Sequence, residues 1–554
     1  ALAVALAPER LWSRLGKAGP LVVAMLAGGV LFWAGRERTF FLGDGAFLIQ
    51  CIERGVLIWH NEPATLFGVA YLHRVLGAPD AAAMMAVISV VLGVVYLGLA
   101  GWFARVIATN GWDRCVVFLF LALAGLTRLF YGYVETYPVL VILTLAYAVT
   151  ALRAVRGESG LAAPVLLATV APAFHITGFF LWPSLLVLVA RGGATRSISR
   201  WLWLVFPGLL VAAGFAVLGG NAEAVSSIYE RYLAKFVALS GPLDIKSAYT
   251  LFSPGHISDF FQEQVILGPM AALLGLVLLV LSRPKQVGPE GRLLLWVAVP
   301  WWVFSFLYKR ELGAARDWDL FSAAAVPWVL LVAWLWSRLP GPRFRSGSFR
   351  AVTGLVLGVA AFHLVGWVGV DVRPETGIAR FAVLNQPDAP PSPWARSYAF
   401  EELGTYYLDA EDLDAAVGAF TEAIFADSTN ARAYGFLGAS LRAQGNLDGA
   451  IQVLEPAARR LPWSSGIQFQ LGSTYALAGQ PAGARLGLRR GWELDPGNID
   501  VILNLIAAEL AYSDPASAEA VARAAMERYP AEPRLPANLA RALEDQGGMD
   551  EASA

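Results

Sequence analysis

The first 370 residues alternate between long apolar runs and short polar connections, whereas the chain beyond about residue 395 has the mixed composition of a soluble protein. A helix needs about 20 mostly apolar residues to cross the hydrocarbon layer of a membrane. That criterion predicts eleven spans, near 19–35, 83–106, 115–131, 137–153, 161–175, 177–190, 201–219, 264–282, 292–308, 322–338 and 351–370. The pattern therefore predicts an all-α protein, with a polytopic transmembrane domain followed by a soluble domain.

A second pattern, with a period of 34 residues, runs through the C-terminal part of the chain. It is carried by Leu403, Leu437, Leu471, Leu505 and Leu539, by Gly404, Gly438 and Gly472, by Ala416, Ala450, Ala484 and Ala518, and by Pro462, Pro496 and Pro530. This period and these residue types resemble the tetratricopeptide repeat, whose helix–turn–helix units stack into an α-solenoid. We expect four complete units and part of a fifth.

Together the two patterns predict three parts: a transmembrane domain over 1–370, a linker over 371–397 and a repeat solenoid over 398–554. The prolines from Pro387 to Pro393 favour an extended linker that sets the distance from membrane to solenoid. The solenoid is expected to hold a protein, either an acceptor or a partner, on its concave surface.

Basic residues predict the orientation in the membrane, because Lys and Arg concentrate in cytoplasmic connections. They fall in alternate connections, as Arg10, Arg14 and Lys17, then Arg153 and Arg156, Arg191, Arg196 and Arg200, Arg283, Lys285 and Arg292, and finally Arg338, Arg343, Arg345 and Arg350. One assignment fits them all: a cytoplasmic N-terminus and a periplasmic or extracellular solenoid. The preference for Ala, Gly and Arg favours a bacterial cytoplasmic membrane. A net charge of −1 gives no basis for a nucleic-acid partner.

With this orientation the acidic residues of the transmembrane domain collect at outer helix ends. Asp44 lies in "FFLGDGAFLIQ" (40–50) and Glu135 in "YGYVETYP" (131–138), while Asp317 and Asp319 flank Trp318 in "AARDWDLFS". Ionisable groups at membrane depth are candidates for function. For Asp44 the alternative is that it caps the helix that begins at Gly45.

This arrangement resembles the GT-C superfamily of polytopic glycosyltransferases, including the protein O-mannosyltransferases, in which a catalytic Asp lies in the first extracytoplasmic loop. Asp44 matches that position and Glu135 matches the second acidic position, between the third and fourth spans. The loop here has Gly-Asp-Gly where the mannosyltransferases have an Asp-Glu pair. The family's loop continues into a helix along the membrane, for which residues 45–59 are suited. The layout with a tetratricopeptide tail is also similar to that of the animal TMTC-type O-mannosyltransferases.

The resemblance implies sugar transfer from a polyprenyl-phosphate carrier, with Asp44 as the base near the acceptor hydroxyl. A cation must then meet the lipid phosphate, and Arg316 is the first candidate because Arg can bind phosphate with two hydrogen bonds. Lys309 and Arg310 are further candidates, although they could instead pair with Glu311 and Asp317.

Other polar and aromatic residues leave several interpretations open. Asp317 and Asp319 could order their loop, bind sugar hydroxyls, or help to hold a divalent cation with Asp44 and Glu135, since hard cations prefer oxygen ligands. His175 is more often expected to be a packed, hydrogen-bonded residue than a ligand. Trp318 could stack on a sugar or belong to the aromatic belt at the membrane surface.

Two functions of different classes follow. The first is a membrane glycosyltransferase that moves a sugar from a polyprenyl-phosphate-linked donor to an extracytoplasmic acceptor. The second is a non-catalytic membrane scaffold whose repeats assemble an envelope complex. Substitution of Asp44 separates the two. A transporter is not indicated, since the polar residues collect at one face of the membrane rather than at its midplane.

Overall fold

The computed structural model describes residues 19–55, 63–78, 80–190, 203–210, 235–241, 243–281, 287–339, 346–386, 391–512 and 514–547. The regular elements in these ranges are helices, with one isolated β-bridge between Phe236 and Tyr308. The chain divides into two compact units, Ala1–Leu384 and Asn385–Ala554. The predicted all-α class is confirmed.

The first unit is a helical bundle. Its α-helices include Gly19–Ala34, Gly45–Glu53, Pro63–Leu76, Ala81–Ile107, Gly111–Ala122, Tyr137–Arg156, Ala162–Phe174, Trp182–Ala190, Pro254–Leu267, Pro269–Leu281, Gly288–Leu307, Trp318–Ser337, Gly347–Asp371 and Pro374–Leu384, and its 3₁₀ helices include Gly125–Phe130 and Ile176–Leu181. Five of them are long and apolar enough to cross a membrane: Ala81–Ile107, Tyr137–Arg156, Gly288–Leu307, Trp318–Ser337 and Gly347–Asp371. These five agree with spans predicted from the sequence, and the first unit is that of a multi-pass membrane protein.

Several other predicted spans are shorter or broken. The run predicted at 115–131 forms helix Gly111–Ala122 and then a 3₁₀ helix from Gly125, where a Cβ would lie 1.8 Å from the Ile266 carbonyl oxygen. The run predicted at 177–190 begins as a 3₁₀ helix and becomes α-helical only at Trp182. Apolar composition alone could not predict these breaks. The span predicted at 201–219 lies largely outside the described residues.

Ion pairs show which helix ends lie together. The carboxylate of Glu290, near the start of Gly288–Leu307, accepts a hydrogen bond of 2.9 Å from Nε of Arg156 and pairs with Arg338 at 2.8 Å. Arg156 is the last residue of helix Tyr137–Arg156, and Arg338 directly follows helix Trp318–Ser337. Glu135 and Asp317 lie just before the first residues of these two helices. The acidic residues and these basic connections therefore lie at opposite ends of their helices, as alternate crossing requires.

The second unit consists of antiparallel helix pairs. The pairs are Pro393–Asp409 with Leu413–Ala426, Ala431–Ala443 with Leu447–Arg460, Ser465–Leu477 with Pro481–Leu494, and Ile499–Ala511 with Pro515–Arg528, and they are followed by helix Arg534–Asp545. These four complete units and part of a fifth match the 34-residue period, and its periodic alanines, Ala416, Ala450, Ala484 and Ala518, are fully buried. At Gly472 a Cβ would lie 2.7 Å from the backbone nitrogen of Leu488, so the glycine column lets paired helices approach closely.

The segment predicted to be an extended linker is partly helical. Helix Pro374–Leu384, here called the post-span helix, begins three residues after the last candidate span and belongs to the first unit. Ser392 then caps helix Pro393–Asp409 by accepting a hydrogen bond from the Ala395 backbone nitrogen. The extended interpretation of 371–397 was therefore wrong for these helical parts, because the prolines that suggested it cluster after the post-span helix. Residues 387–390 lie outside the described residues.

Candidate functional site

Asp44 stands at the start of helix Gly45–Glu53, in the first loop after helix Gly19–Ala34. Its side chain makes no capping hydrogen bond to that helix. Instead, its backbone nitrogen donates a 2.8 Å hydrogen bond to Oε1 of Glu135. The capping interpretation of Asp44 is therefore wrong, and the structure brings together the two acids that are 91 residues apart in the chain. Residues 56–59 of the expected membrane-surface helix lie outside the described residues.

The residue before Asp44, Gly43, has to be a glycine for two reasons. Its φ of +70° lies in the left-handed region, which L side chains rarely adopt. A Cβ at this position would lie 2.0 Å from Oδ2 of Asp319, 2.8 Å from the Tyr133 hydroxyl and 2.9 Å from Oε1 of Glu135. The backbone before Asp44 therefore lies directly against three polar side chains, and only a glycine fits there.

Those side chains form a buried hydrogen-bonded cluster. The Tyr133 hydroxyl lies 2.7 Å from the carbonyl oxygen of Leu42 and 3.0 Å from Oδ2 of Asp319. Glu135 also accepts a hydrogen bond of 3.1 Å from the Thr136 nitrogen. Tyr133, Glu135 and Asp319 are all buried. The cluster therefore ties the Asp44 loop to the starts of helices Tyr137–Arg156 and Trp318–Ser337.

The loop before helix Trp318–Ser337 carries Arg316. Oδ2 of Asp317 accepts a 2.9 Å hydrogen bond from the Leu312 nitrogen, and the Arg316 nitrogen donates to the Gly313 carbonyl at 3.0 Å. Asp317 thus orders the loop, which was one of the alternatives left open by the sequence. Arg316 itself is 1% exposed, and its guanidinium carbon lies 5.2 Å from the centre of the Phe381 ring.

Asp44 differs from the other acids of the cluster because solvent reaches its side chain. Protein atoms nevertheless surround it, and this burial raises the pKa of the Asp44 carboxyl, while the positive charges of Arg316 and Lys235 oppose the rise. The negative charge of Glu311 adds to it. Asp44 is therefore an accessible carboxyl in a partly enclosed position that two cations influence.

The other predicted cations lie elsewhere. Nζ of Lys309 is 2.5 Å from Oδ2 of Asp244, and Arg310 forms a fully buried ion pair of 2.7 Å with Glu263. Glu311, which the sequence offered as their partner, pairs with Lys235 at 2.5 Å. These contacts give Lys309 and Arg310 carboxylate partners of their own. The sequence did not indicate Lys235, whose positive charge lowers the pKa of Asp44 only because of tertiary folding.

His175 and Trp318 are both packed side chains. Nδ1 of His175 lies 2.6 Å from the Thr177 hydroxyl, and the ring packs on Tyr137 with 5.1 Å between centres. This agrees with the expectation of a packed, hydrogen-bonded histidine. Trp318 is buried against Tyr133, with 4.9 Å between ring centres. It belongs to the core of the site rather than to an exposed aromatic belt.

A search of the described ranges found no group of three or more His, Cys, Asp or Glu side chains that could hold a metal ion. The buried acids of the cluster contact Tyr133 and backbone nitrogens instead. Tyr133 is therefore a site residue whose role the sequence did not reveal, because its contacts with Leu42 and Asp319 arise only from tertiary folding.

A cavity of about 440 Å³ lies next to the cluster, on the other side of Trp318. Its lining includes Trp318, Phe362, His363, Gly366, Trp367 and Arg380. Helix Gly347–Asp371 forms one wall, and the outward residues of this candidate span are exposed, as the 82% exposure of Phe362 shows. The cavity is mainly apolar, with one guanidinium at the post-span helix.

No protein-family model matches the chain, and no curated protein sequence matches it. Among solved structures, ArnT from Cupriavidus metallidurans, a GT-C glycosyltransferase whose structure contains undecaprenyl phosphate, matches with 15% identity and a TM-score of 0.42, covering 92% of this chain and 80% of that one. MamA matches the repeats with 21% identity and a TM-score of 0.26, over 28% of this chain and 86% of that one.

Yeast Tom70 matches with 13% identity and a TM-score of 0.26, covering 92% of this chain and 90% of that one. The structures found include the two kinds that the sequence resembles, a GT-C glycosyltransferase and tetratricopeptide proteins. TM-scores below 0.5 and identities below 25% say nothing about activity, so any function has to be inferred from the chain's own residues.

Proposed function

We propose that the chain is a GT-C-type membrane glycosyltransferase of a bacterial cytoplasmic membrane. It transfers a sugar from a polyprenyl-phosphate-linked donor to an extracytoplasmic acceptor, which we take to be a protein. In this proposal the N-terminus is cytoplasmic and the repeat solenoid lies outside, where it recruits the acceptor or a partner protein.

The observation that carries the proposal is the environment of Asp44. An acceptor hydroxyl must lose its proton to a base within hydrogen-bond reach. Asp44 is the exposed acid of its cluster, and its backbone is held by Glu135 at 2.8 Å. Burial raises the pKa of this carboxyl, which makes it a stronger base than an ordinary aspartate. We assign Asp44 as the catalytic base and Glu135 as the residue that positions it.

Arg316 is the proposed partner of the lipid phosphate. Its charge acts on Asp44, so it lies close to the carboxylate that would activate the acceptor. A guanidinium near this point can neutralise the phosphate as the sugar–phosphate bond breaks. Lys235 also acts on Asp44, but Glu311 already neutralises it at 2.5 Å, so Arg316 is the cation that the proposal assigns to the phosphate. Lys309 and Arg310 are not included, since Asp244 and Glu263 already neutralise them.

The cavity beside Trp318 suits the isoprenoid part of the carrier. Its walls are mainly apolar, and one of them is a candidate span with an exposed outer face. A lipid chain could enter from the bilayer at this wall, while Trp318 separates it from the acids.

Substitution of Asp44 tests the proposal. Asp44→Asn removes the basic group with little change in size, and it should abolish sugar transfer while the protein still folds. Asp80→Asn is the matched control, because Asp80 caps helix Ala81–Ile107 through a hydrogen bond from the Ala83 nitrogen and Asn caps equally well. Envelope proteins from cells that carry each variant would be analysed for glycans by mass spectrometry.

Loss of a glycan in Asp44→Asn, but not in Asp80→Asn, supports the enzyme. A full set of glycans in both variants would instead support the membrane scaffold, since a scaffold has no use for the Asp44 carboxylate. Thermal unfolding of both purified variants must be the same as that of the wild type for this comparison to hold.

A further inference from the structure

The post-span helix Pro374–Leu384 packs against the loop that leads to Asp44. The ring of Phe381 on this helix is 2% exposed and stacks on Phe41, with 4.9 Å between the ring centres and 24° between the planes. Phe41 lies three residues before Asp44. The helix therefore contacts the candidate site even though it follows the last span in the chain.

The Phe381 ring also meets the cation of the site. The guanidinium carbon of Arg316 lies 5.2 Å from its centre, within the range of an attractive cation–π contact. One aromatic ring thus contacts both the loop that carries Asp44 and the side chain proposed to bind phosphate. Arg316 and Asp44 come from segments about 270 residues apart in the chain, so their relative position needs such a shared contact.

Two further contacts fix the post-span helix in place. Arg380 pairs with Asp371, at the end of the last candidate span, with 2.8 Å between Nη1 and Oδ2. At Gly377 a Cβ would lie 2.8 Å from the Thr39 hydroxyl, so the helix backbone approaches the loop closely. The helix is therefore attached at both its start and its middle, and Phe381 is carried at a defined position.

We propose that Phe381 is a positioning residue whose ring fixes the Arg316 guanidinium relative to Asp44, so that the post-span helix completes the site. This inference rests on the proposed function, because it assigns the phosphate to Arg316. A ring that only filled space in the core would be replaceable by any apolar side chain of similar volume. A ring that holds a cation must keep its π-face.

Binding of undecaprenyl phosphate to the full-length protein in nanodiscs tests the proposal. Phe381→Leu keeps an apolar side chain without the π-face, and it should weaken binding by about 5- to 30-fold, the factor that corresponds to a desolvated cation–π contact. Phe381→Tyr keeps the ring and should bind as tightly as the wild type. Phe120→Leu is the matched control, because it removes another buried ring, packed on Trp336 away from the site.

A second readout reports on Asp44 itself. The charges of Arg316, Lys235 and Glu311 act on Asp44, together with the neighbouring carboxyls of Asp317 and Asp319. The Glu135 carboxylate also lies beside it, 2.8 Å from the Asp44 nitrogen. Arg316 lowers the pKa of Asp44 against the larger effect of burial. If Phe381→Leu lets Arg316 move away, the acidic limb of the transfer rate must shift to higher pH, and loss of core packing alone would not produce that shift.

The outcomes separate the two proposals. Tight binding by Phe381→Leu together with weak binding by Arg316→Gln overturns the role of Phe381 and leaves the proposed function intact. Tight binding by Arg316→Gln overturns the phosphate assignment itself. Equal weakening in Phe381→Leu and Phe381→Tyr also refutes the cation–π contact. If Phe381→Leu does not fold, Gly377→Val tests whether the post-span helix positions Phe381, since its side chain would push the helix away from Thr39, and unchanged binding would refute the proposal.

Discussion

A Gly43→Ala substitution would test the close packing that holds Asp44. Gly43 has a φ of +70°, and an alanine in this left-handed conformation costs roughly 1–2 kcal/mol. Its Cβ would also lie 2.0 Å from Oδ2 of Asp319, a separation that forces the carboxylate to move. The movement would break the 3.0 Å contact between that oxygen and the Tyr133 hydroxyl, at a cost of about 1.5–3 kcal/mol for a hydrogen bond to a charged group.

The two effects together predict a destabilisation of about 2.5–5 kcal/mol for Gly43→Ala. Gly55 offers a matched control, because its φ is +71° and a Cβ there meets no atom within 4 Å. Gly55→Ala should therefore show the conformational cost alone, about 1–2 kcal/mol. The difference between the two variants isolates the displacement of Asp319.

The comparison can be measured by thermal unfolding of the full-length protein in nanodiscs, followed by tryptophan fluorescence, together with glycan analysis of cells that carry each variant. Gly43→Ala should unfold at a lower temperature than Gly55→Ala and should lose transfer, because the Asp44 backbone moves with its neighbour. Equal unfolding temperatures for the two variants would show that Gly43 does not lie against the buried cluster, and the geometry proposed for Asp44 would then have no support.

Three further predictions concern the repeats, the cavity and the pH dependence. In the solenoid, Gly472→Ala should lower the unfolding temperature of residues 385–554 measured by circular dichroism, because its Cβ meets a backbone nitrogen at 2.7 Å, whereas Gly418→Ala, with no atom within 4 Å, should raise it through helix propensity. In the cavity, Gly366→Trp should weaken binding of undecaprenyl phosphate, while Gly358→Trp, on the same helix but outside the cavity lining, should not. On acidification, the transfer rate should begin to fall at a pH above 3.8, the ordinary pKa of an aspartate. The reason is that burial raises the pKa of Asp44 and only the ionised carboxylate can accept a proton. A rate that falls only at or below pH 3.8 would contradict the burial of this carboxyl.

The sequence was most informative where a pattern repeats. The 34-residue period predicted every helix pair of the described solenoid. Each small residue of the pattern lies where two helices pack closely, as Gly472 does. Span prediction was less complete, since apolar composition does not reveal where a chain changes from α-helix to 3₁₀ helix, as it does near Gly125 and Trp182. Those changes depend on contacts with other helices.

The site was only partly predictable for the same reason. Topology placed Asp44, Glu135 and Arg316 at one end of the bundle. In the structure a hydrogen bond joins Asp44 to Glu135, and the charge of Arg316 acts on Asp44. It could not decide which cations were already paired, and Lys309 and Arg310 have partners that no sequence spacing indicates. The post-span helix did carry a signal, namely Pro374 at its first position and Glu375 in its first turn, which typically begin a helix. The prolines that follow the post-span helix led to the prediction of an extended linker instead.

A catalytic base has two requirements that oppose each other: it must be accessible to its substrate, and it must stay in one place. The cluster meets the two requirements separately, because it holds the main chain of Asp44 and leaves the side chain of Asp44 accessible. Glu135 holds the backbone nitrogen of Asp44 at 2.8 Å, and the buried Tyr133 hydroxyl lies 2.7 Å from the carbonyl of Leu42. The main chain is thereby fixed from the protein interior, while the carboxylate remains accessible. This arrangement explains why a glycine precedes the acid, since any side chain at Gly43 would separate the loop from the groups that hold it.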